Sequence, residues 1–315
     1  MTSNAARLDV LAVGELNPDF ILSGLRDRMP VLGTEQEFTG YRLTLGSSTA
    51  ITCVLMQRLG LRTAMAACVG DDEHGEFCRA ALLSEGVDIR LVETRANVPT
   101  GLTLCLPYPD DRLLVTCKGA MALDPSEAVT PAMLESVRHL HVSSFFLQTA
   151  LRPRLPALLT AARKAGVTTS LDTGWDPDGE WLTEDLRVTL AQTSVFLPNE
   201  REFAALTGEK DVASGVARLL DLGVIAVVLK RGAAGAIHGD RDGLVEVPGF
   251  AAQAIDTTGA GDAFNAGYLT AMLNGAPVRE RLIMGNACGA LTVAAIGGTG
   301  GVKGAAEVQA LVAAH

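Results

Sequence analysis

The chain has 315 residues, of which 48% are hydrophobic and 20% charged, and its formal net charge is -10. This composition is ample for a large buried core. The acidity argues against a nucleic-acid or anionic-membrane partner, because no run of lysine and arginine offers a compensating basic patch. Six scattered cysteines without a C-x-x-C pair argue against a zinc site or a disulfide framework.

The sequence shows no signal-like pattern at its start and no apolar run of about 20 residues that could span a bilayer. We therefore expect a cytoplasmic protein whose thiols are reduced and which does not bind membranes.

Residues 8–14 form the first predicted strand, a short apolar run that ends in Gly14. Asn17 and Asp19 follow at the carboxyl end of this strand, where ligands bind in open parallel sheets. Asp19 has two interpretations. It is either a turn residue after Pro18 or a carboxylate that accepts hydrogen bonds from ligand hydroxyl groups.

The segment 21–45 is irregular or β-like, with little helical periodicity. A helix is predicted to begin near residues 45–50 and to end at Gly60. Ser47 and Ser48 have two interpretations, because their hydroxyl groups could cap this helix or donate to a ligand.

Two β-like runs, 100–106 and 112–117, predict a hairpin, since Pro107, Pro109, Asp110 and Asp111 separate them. Together with the segment 21–45 this hairpin predicts a small separate sheet. Later in the chain, strands near 140–143 and 167–171 alternate with helices. This alternation predicts a mostly parallel, doubly wound sheet in a single α/β domain over residues 1–315.

Asn199 and Glu202 stand three residues apart at the start of a predicted helix and share one of its faces. An amide and a carboxylate so placed can organise the water shell of Mg²⁺, which needs few protein ligands. The same spacing is that of a capping box, and both interpretations stay open. Asp172, at the end of a strand, is either a cap or a second carboxylate near this site.

An apolar strand over 224–229 leads into Lys230, which is predicted either to contact a phosphate or to be solvated. Gly232 and Gly235 follow in a short turn. The chain has neither a Walker A string in this turn nor a Gly-x-Gly-x-x-Gly fingerprint after its first strand, which excludes those two nucleotide-binding motifs.

The run Asp256–Asp262, which reads Asp-Thr-Thr-Gly-Ala-Gly-Asp, comes directly before a predicted helix. Gly259 and Gly261 allow the backbone to turn tightly beside a ligand. The free N–H groups of the new helix form a seat for an anion. Asp262 lies at the edge of this seat, where it could accept a proton from an attacking hydroxyl. These parts are the minimum that a small-molecule kinase needs.

This run resembles the second signature of the ribokinase (pfkB) family of carbohydrate kinases and matches it at all seven positions. Gly14, Asn17 and Asp19 match the spacing of a Gly-x-x-Asn-x-Asp string in that family, and Asn199 and Glu202 match its Asn-x-x-Glu element. The resemblance extends to the glycine cluster at 297–301. It implies a ribokinase-like fold with a small β-sheet lid, formed by insertions at about 15–45 and 98–120.

The resemblance also implies ATP and Mg²⁺ as cofactors, K⁺ as a further candidate, and a sugar as substrate. The residues that it assigns are Asn17, Asp19, Gly46, Ser47 and Asp262 at the substrate; Gly259, Ala260, Gly261 and Asp262 in catalysis; Asn199, Lys230, Gly232, Gly235, Gly261 and Asn286 at the nucleotide; Glu202 and, through water, Asn199 at Mg²⁺; and Asp256 and Thr258 at K⁺.

The chain departs from the family at the sugar, because Leu45 and Ala50 stand where relatives often carry Gly and Asn. The acceptor is therefore left open among fructose, a keto-deoxy sugar acid and other small polyols. Two alternatives remain: a nucleoside kinase of the same family, with Phe38, Tyr41, Phe145 and Phe146 as candidate walls for the base, and a non-catalytic sugar- or nucleotide-binding protein. A homodimer through an exposed lid edge is a further expectation.

Overall fold

The computed structural model describes residues 7–24, 30, 32–108 and 112–314 of the chain. The predicted turn residues 109–111 lie outside these ranges. The thirteen strands of the described part are β1 Val10–Val13, β2 Pro18–Ser23, β3 Gly40–Leu45, β4 Thr63–Gly70, β5 Asp88–Arg95, β6 Leu102–Pro107, β7 Arg112–Cys117, β8 His139–Val142, β9 Thr168–Leu171, β10 Val195–Phe196, β11 Ala226–Lys230, β12 Ala236–Asp240 and β13 Gly243–Val247.

Ten α-helices accompany them in the described part. They are α1 Ser48–Arg58, α2 Glu73–Ser84, α3 Pro131–Ser136, α4 Leu155–Lys164, α5 Glu184–Leu190, α6 Glu200–Thr207, α7 Val212–Asp221, α8 Ala260–Leu273, α9 Val278–Val293 and α10 Ala305–Ala313.

Nine strands form the main sheet, in the order β13-β12-β11-β10-β9-β8-β1-β4-β5. The pairs from β5 across to β11 are all parallel, whereas β12 and β13 turn back as antiparallel strands at one edge. Because strand order reverses around β1, helices cover both faces of the sheet. This arrangement confirms the predicted doubly wound, mostly parallel α/β fold.

Alternation along the buried strands divides the core between the two faces. In β11, Val227 and Leu229 pack in the cluster that holds residues of α3 to α7, while Val228 packs on the opposite face with residues of α1, α8, α9 and α10. Burial on both faces explains why the strand reads as a continuous apolar run.

The second sheet is the predicted lid, a four-stranded sheet in the order β3-β2-β6-β7. Strand β2 pairs with β3 in antiparallel and with β6 in parallel orientation, and β6 and β7 form the predicted hairpin. The lid thus combines two chain segments that flank α1, β4, α2 and β5 in the sequence.

Core burial predicts the response to truncation of a strand residue. Leu140 in β8 is 0% exposed, so Leu140→Ala should lower the free energy of unfolding by about 3 kcal/mol. Leu244→Ala in β13 is the matched control, because Leu244 is 46% exposed and should lose less than about 1 kcal/mol. Urea denaturation measures both values, and equal losses would contradict this placement of the core.

Candidate active site

Asp262 lies in the first turn of α8 and is 8% exposed. The side chain of Ser48, at the start of α1, lowers the pKa of its carboxyl group. Burial, reinforced by the negative charge of Asp172, raises the pKa of Asp262 to about 7, although Lys230 opposes this shift. A carboxyl group with this pKa can exchange a proton near neutral pH.

The N-terminus of α8 presents free donors beside Asp262. Gly259 takes a left-handed conformation with φ 73°, and a Cβ atom there would lie 2.3 Å from the Cα of Gly298. The N–H of Ala260 donates to the Thr257 carbonyl over 3.3 Å. By contrast, the N–H groups of Gly259, Gly261 and Asp262 donate to no other backbone group in the described chain. These groups form a seat for an anion at the positive end of the helix dipole.

Asp256 fixes the loop that leads into this seat. One of its oxygens accepts from the N–H of Thr258 and the other from the N–H of Gly297, each over 2.9 Å. The carboxylate therefore joins the loop to the glycine cluster at 297–301. Asp256 and Thr258 stay predictions as K⁺ contacts.

The lid reaches the same loop through Arg112 at the start of β7. The Nη1 atom of Arg112 donates to the Thr257 hydroxyl over 2.8 Å. In β6, the Cys105 Sγ lies 3.8 Å from the Thr258 hydroxyl. The lid thus contacts the loop that leads into α8.

Asn17 directly precedes strand β2 of the lid, and Asp19 lies within that strand. The side-chain amide of Asn17 donates to the Pro18 carbonyl over 3.0 Å and to the Thr103 hydroxyl over 3.3 Å. Burial raises the pKa of Asp19 to about 7, against the lowering effect of Arg112. The absence of a side chain at Gly46 leaves space for Asp19, since a Cβ atom at Gly46 would lie 2.1 Å from the Asp19 Oδ1.

Ser47 caps α1, as one of its two interpretations predicts. Its hydroxyl accepts from the N–H of Ala50 over 3.1 Å and donates to the Glu15 carbonyl. Its φ of 70° places it in the left-handed region, where few residues other than glycine stand without strain. Its part in substrate binding stays a prediction.

Glu15 was not among the predicted site residues. Its carboxylate accepts from the N–H and the hydroxyl of Thr49, over 3.1 Å and 2.6 Å. It is 2% exposed, and burial raises its pKa. The one signal in the sequence was its position directly after Gly14, at the carboxyl end of the first strand.

Asn199 and Glu202 form the capping box of α6. The Asn199 Oδ1 accepts from the Glu202 N–H over 2.9 Å, and the Glu202 Oε2 accepts from the Asn199 N–H over 2.9 Å. Burial and the charge of Asp172 raise the pKa of Glu202 to about 7. The capping box, one of the two interpretations of this spacing, is therefore present. The Mg²⁺ role stays a prediction.

Lys230 is 9% exposed and its ammonium group is bonded inside the protein. Its Nζ donates to the Asp172 Oδ2 over 2.6 Å and to the Asn265 Oδ1 over 3.3 Å. The sequence suggested Lys230 and Asp172 separately. It gave no indication of their pairing or of Asn265, which lies about one turn beyond Asp262 on α8.

The other predicted nucleotide residues flank β13. Gly235 has φ 97°, and a Cβ atom there would lie 2.1 Å from the Val247 carbonyl oxygen. Gly232 has φ 54°, and a Cβ atom at Gly232 would have no atom within 4 Å, so this glycine borders open space. The side-chain amide of Asn286 donates to the Pro248 carbonyl over 3.0 Å. The nucleotide roles of these residues stay predictions.

The described residues hold no cluster of three or more histidine, cysteine, aspartate or glutamate side chains suited to bind a metal ion directly. Over the same residues, the helices are too short or too polar to cross a membrane.

The profile of the pfkB family carbohydrate kinases matches residues 7–303. The chain belongs to the pfkB family of carbohydrate kinases. Within this family, the ATP-dependent ribose-1-phosphate kinase of Halopiger xanaduensis is 32% identical over 309 residues, which cover 96% of this chain and 97% of that protein. The ribokinase of Haemophilus influenzae is 28% identical, and the alignment covers 91% of this chain and 92% of that protein.

Solved structures of the family share the fold. A ribokinase II from Escherichia coli in its apo form has a TM-score of 0.87 at 24% identity, over 98% of this chain and 100% of that chain. The structure of a ribokinase II from the same organism with ATP and Mg²⁺ has a TM-score of 0.86 at 24% identity and the same coverage. The pfkB protein is thus a sugar or nucleoside kinase with a ribokinase-like fold.

The environment of Asp262 predicts its titration. Its carboxyl group should be mostly protonated below about pH 7 and mostly ionised above it, because burial and the negative charge of Asp172 both disfavour the ionised form. Ser48→Ala should move the midpoint to higher pH, because the side chain of Ser48 lowers the pKa of Asp262.

Carbon-13 NMR of the aspartate carboxyl groups measures this titration. Asp211 is the internal control, since hydrogen bonds from Ser214 hold its pKa below the ordinary value. A midpoint for Asp262 as low as that of Asp211 would contradict the described environment.

Proposed function

We propose that this protein transfers the γ-phosphoryl group of ATP to a primary hydroxyl of a small sugar or sugar-like substrate. The observation that carries the proposal is the buried carboxyl group of Asp262 beside the free N–H groups at the start of α8. A base and an anion seat on one helix turn are what phosphoryl transfer to an alcohol requires. Membership of the kinase family supports the same conclusion.

The substrate lies beneath the lid, with its hydroxyl groups against Asn17 and Asp19. Asp262 accepts the proton of the primary hydroxyl as the oxygen attacks the γ-phosphorus in line, and the bond from that phosphorus to the β-γ bridging oxygen breaks. The N–H groups of Gly259 and Gly261 stabilise the negative charge of the transferring group. A closed lid excludes water, which would otherwise compete as the acceptor.

ATP and Mg²⁺ are the proposed cofactors, as in the ribokinase II complex of the same fold. Oxygen donors suit Mg²⁺, which keeps several waters. Asn199 and Glu202 fit an outer-sphere role, because both side chains offer oxygen atoms at the carboxyl ends of the strands. When bound, Mg²⁺ neutralises phosphate charge. Gly232 and Gly235 would border the phosphates. The loop at Asp256 and Thr258 is a candidate K⁺ site.

The acceptor is proposed to be a sugar rather than a nucleoside. Of the four aromatic residues offered above as walls for a base, Phe145 and Phe146 are 0% and 2% exposed and pack in the core, whereas Phe38 and Tyr41 are 43% and 70% exposed. Relatives include a fructokinase, a 2-dehydro-3-deoxygluconokinase and a nucleoside kinase, so the test covers all three classes. A lid-mediated homodimer and a cytoplasmic location stay predictions.

The direct test is ADP release from Mg·ATP with a panel that contains ribose, ribose 1-phosphate, fructose, a keto-deoxy sugar acid and nucleosides, with and without K⁺. We expect turnover with a sugar. Asp262→Asn should lower kcat by about 10²-fold or more and leave ATP affinity unchanged, because the base is lost and the anion seat remains.

Asp221→Asn, an exposed carboxylate at the end of α7, is the control and should keep wild-type turnover. Unchanged kcat in Asp262→Asn would rule out this residue as the base. A wild-type protein that binds ATP and sugar but turns over no member of the panel would contradict the proposed activity.

A further inference from the structure

A closed triangle of three buried side chains lies beneath the anion seat. The Asp172 Oδ2 accepts from the Lys230 Nζ and from the Asn265 Nδ2, each over 2.6 Å. The Lys230 Nζ also lies 3.3 Å from the Asn265 Oδ1. Asp172 follows β9, Lys230 ends β11 and Asn265 belongs to α8. The triangle therefore joins two strand ends to the helix that carries the proposed base.

This triangle lies beside the proposed base, the anion seat and the start of α6. Asn265 lies three residues beyond Asp262, on the same side of α8. A Cβ atom at Gly261 would lie 3.4 Å from the Lys230 Nζ, so the ammonium group sits directly beside the anion seat. The backbone N–H of Lys230 donates to the Pro198 carbonyl over 2.9 Å, next to Asn199.

The ammonium group of Lys230 is held by protein atoms, since it donates to the Asp172 Oδ2 and to the Asn265 Oδ1. Asp172 is 5% exposed, and such burial alone would raise its pKa, but the charge of Lys230 and the bonds from Lys230 and Asn265 outweigh burial and hold that pKa below its ordinary value. If Lys230 moved away from Asp172, it would leave this carboxylate without its counter-charge.

We propose that Lys230 is a positioning residue for phosphoryl transfer: it compensates the buried charge of Asp172 and, with Asn265, fixes the first turn of α8. This inference rests on the proposed kinase activity. This role differs from direct contact with the nucleotide phosphates, which was one of the two interpretations that the sequence suggested for Lys230, and the experiment below distinguishes the two roles.

The charges around Asp262 agree with this role. Burial dominates the pKa of Asp262 and of Glu202; Asp172 raises both values further and Lys230 lowers both. From the other elements, the negative charge of Glu15 after β1 raises the pKa of Asp262 and the side chain of Ser48 of α1 lowers it. Without Lys230, the Asp172 carboxylate would stand uncompensated beside the base and beside the incoming phosphates.

A charge-matched set of variants tests the proposal: Lys230→Met, Asp172→Asn and the double variant. Lys164→Met, an exposed lysine at the end of α4, is the control. In each protein, kcat and KM for ATP are measured with the sugar that the wild type phosphorylates, and the melting temperature is recorded. Breaking one partner of a buried ion pair is far more damaging than replacing both.

Lys230→Met should lower kcat by about 100-fold with KM for ATP within about threefold of the wild type, since misplacement of the reacting groups impairs chemistry more than binding. The double variant should regain at least about tenfold in kcat over Lys230→Met, and should also melt at a higher temperature. Lys164→Met should match the wild type.

A phosphate-binding lysine would give a different result. The KM for ATP would then rise by about tenfold or more in Lys230→Met, and the double variant would recover nothing. That result would overturn the proposal. If Lys230→Met does not fold, the double variant is compared with the wild type: a KM for ATP within about threefold supports the proposal, and a rise of about tenfold or more overturns it. Failure of the double variant to fold would also overturn it.

The two proposals fail in different ways. A wild-type protein without turnover on the panel contradicts the kinase activity. The melting temperatures still test charge compensation in that case. If the double variant melts no higher than Lys230→Met, the inference about Lys230 is contradicted, and the kinase proposal is not affected.

Discussion

The burial of acidic side chains around the N-terminus of α8 is the constraint on which the candidate site depends. Glu15, Asp172, Glu202 and Asp262 are each at most 8% exposed at the same edge of the main sheet. Like charges in a poorly solvated site repel one another and resist ionisation. The site is compatible with folding because Lys230 compensates Asp172 and hydrogen bonds satisfy the carboxyl groups of Glu15 and Glu202.

The parallel sheet explains why residues so distant in sequence meet at this place. Strands β1, β9 and β11 run in the same direction, so the segments that follow them emerge at one edge. The N-terminus of α8 lies above that edge, joined to it through Asn265 and joined to α1 through the bond from the Thr52 hydroxyl to the Asp262 carbonyl. The lid contacts the loop before α8 through Arg112.

The sequence was most informative where function depends on consecutive residues. The run Asp256–Asp262 indicated both the tight turn at Gly259 and the helix that follows, since these are local properties of the backbone. The alternating strands and helices were sufficient to predict the sheet, and the two β-like segments were sufficient to predict the lid.

The sequence was less informative where a side chain depends on a distant partner. Asn199 and Glu202 fit a capping box and an Mg²⁺ site equally well, and only the folded chain shows that the capping box is made. The partner of Lys230 is 58 residues away in sequence, and that of Asn265 is 93 residues away. Glu15 was overlooked because its contacts with Thr49 arise only when β1 and α1 meet.

The most direct measurement is the structure of the product formed from γ-labelled ATP and the accepted sugar, determined by phosphorus and carbon NMR. The account predicts one phosphomonoester at a primary carbon, formed in equal amount to ADP, because Asp262 and the α8 donors are arranged for transfer to a single hydroxyl. Release of inorganic phosphate without a sugar phosphate would contradict it, since the protein would then be activating water instead of an alcohol.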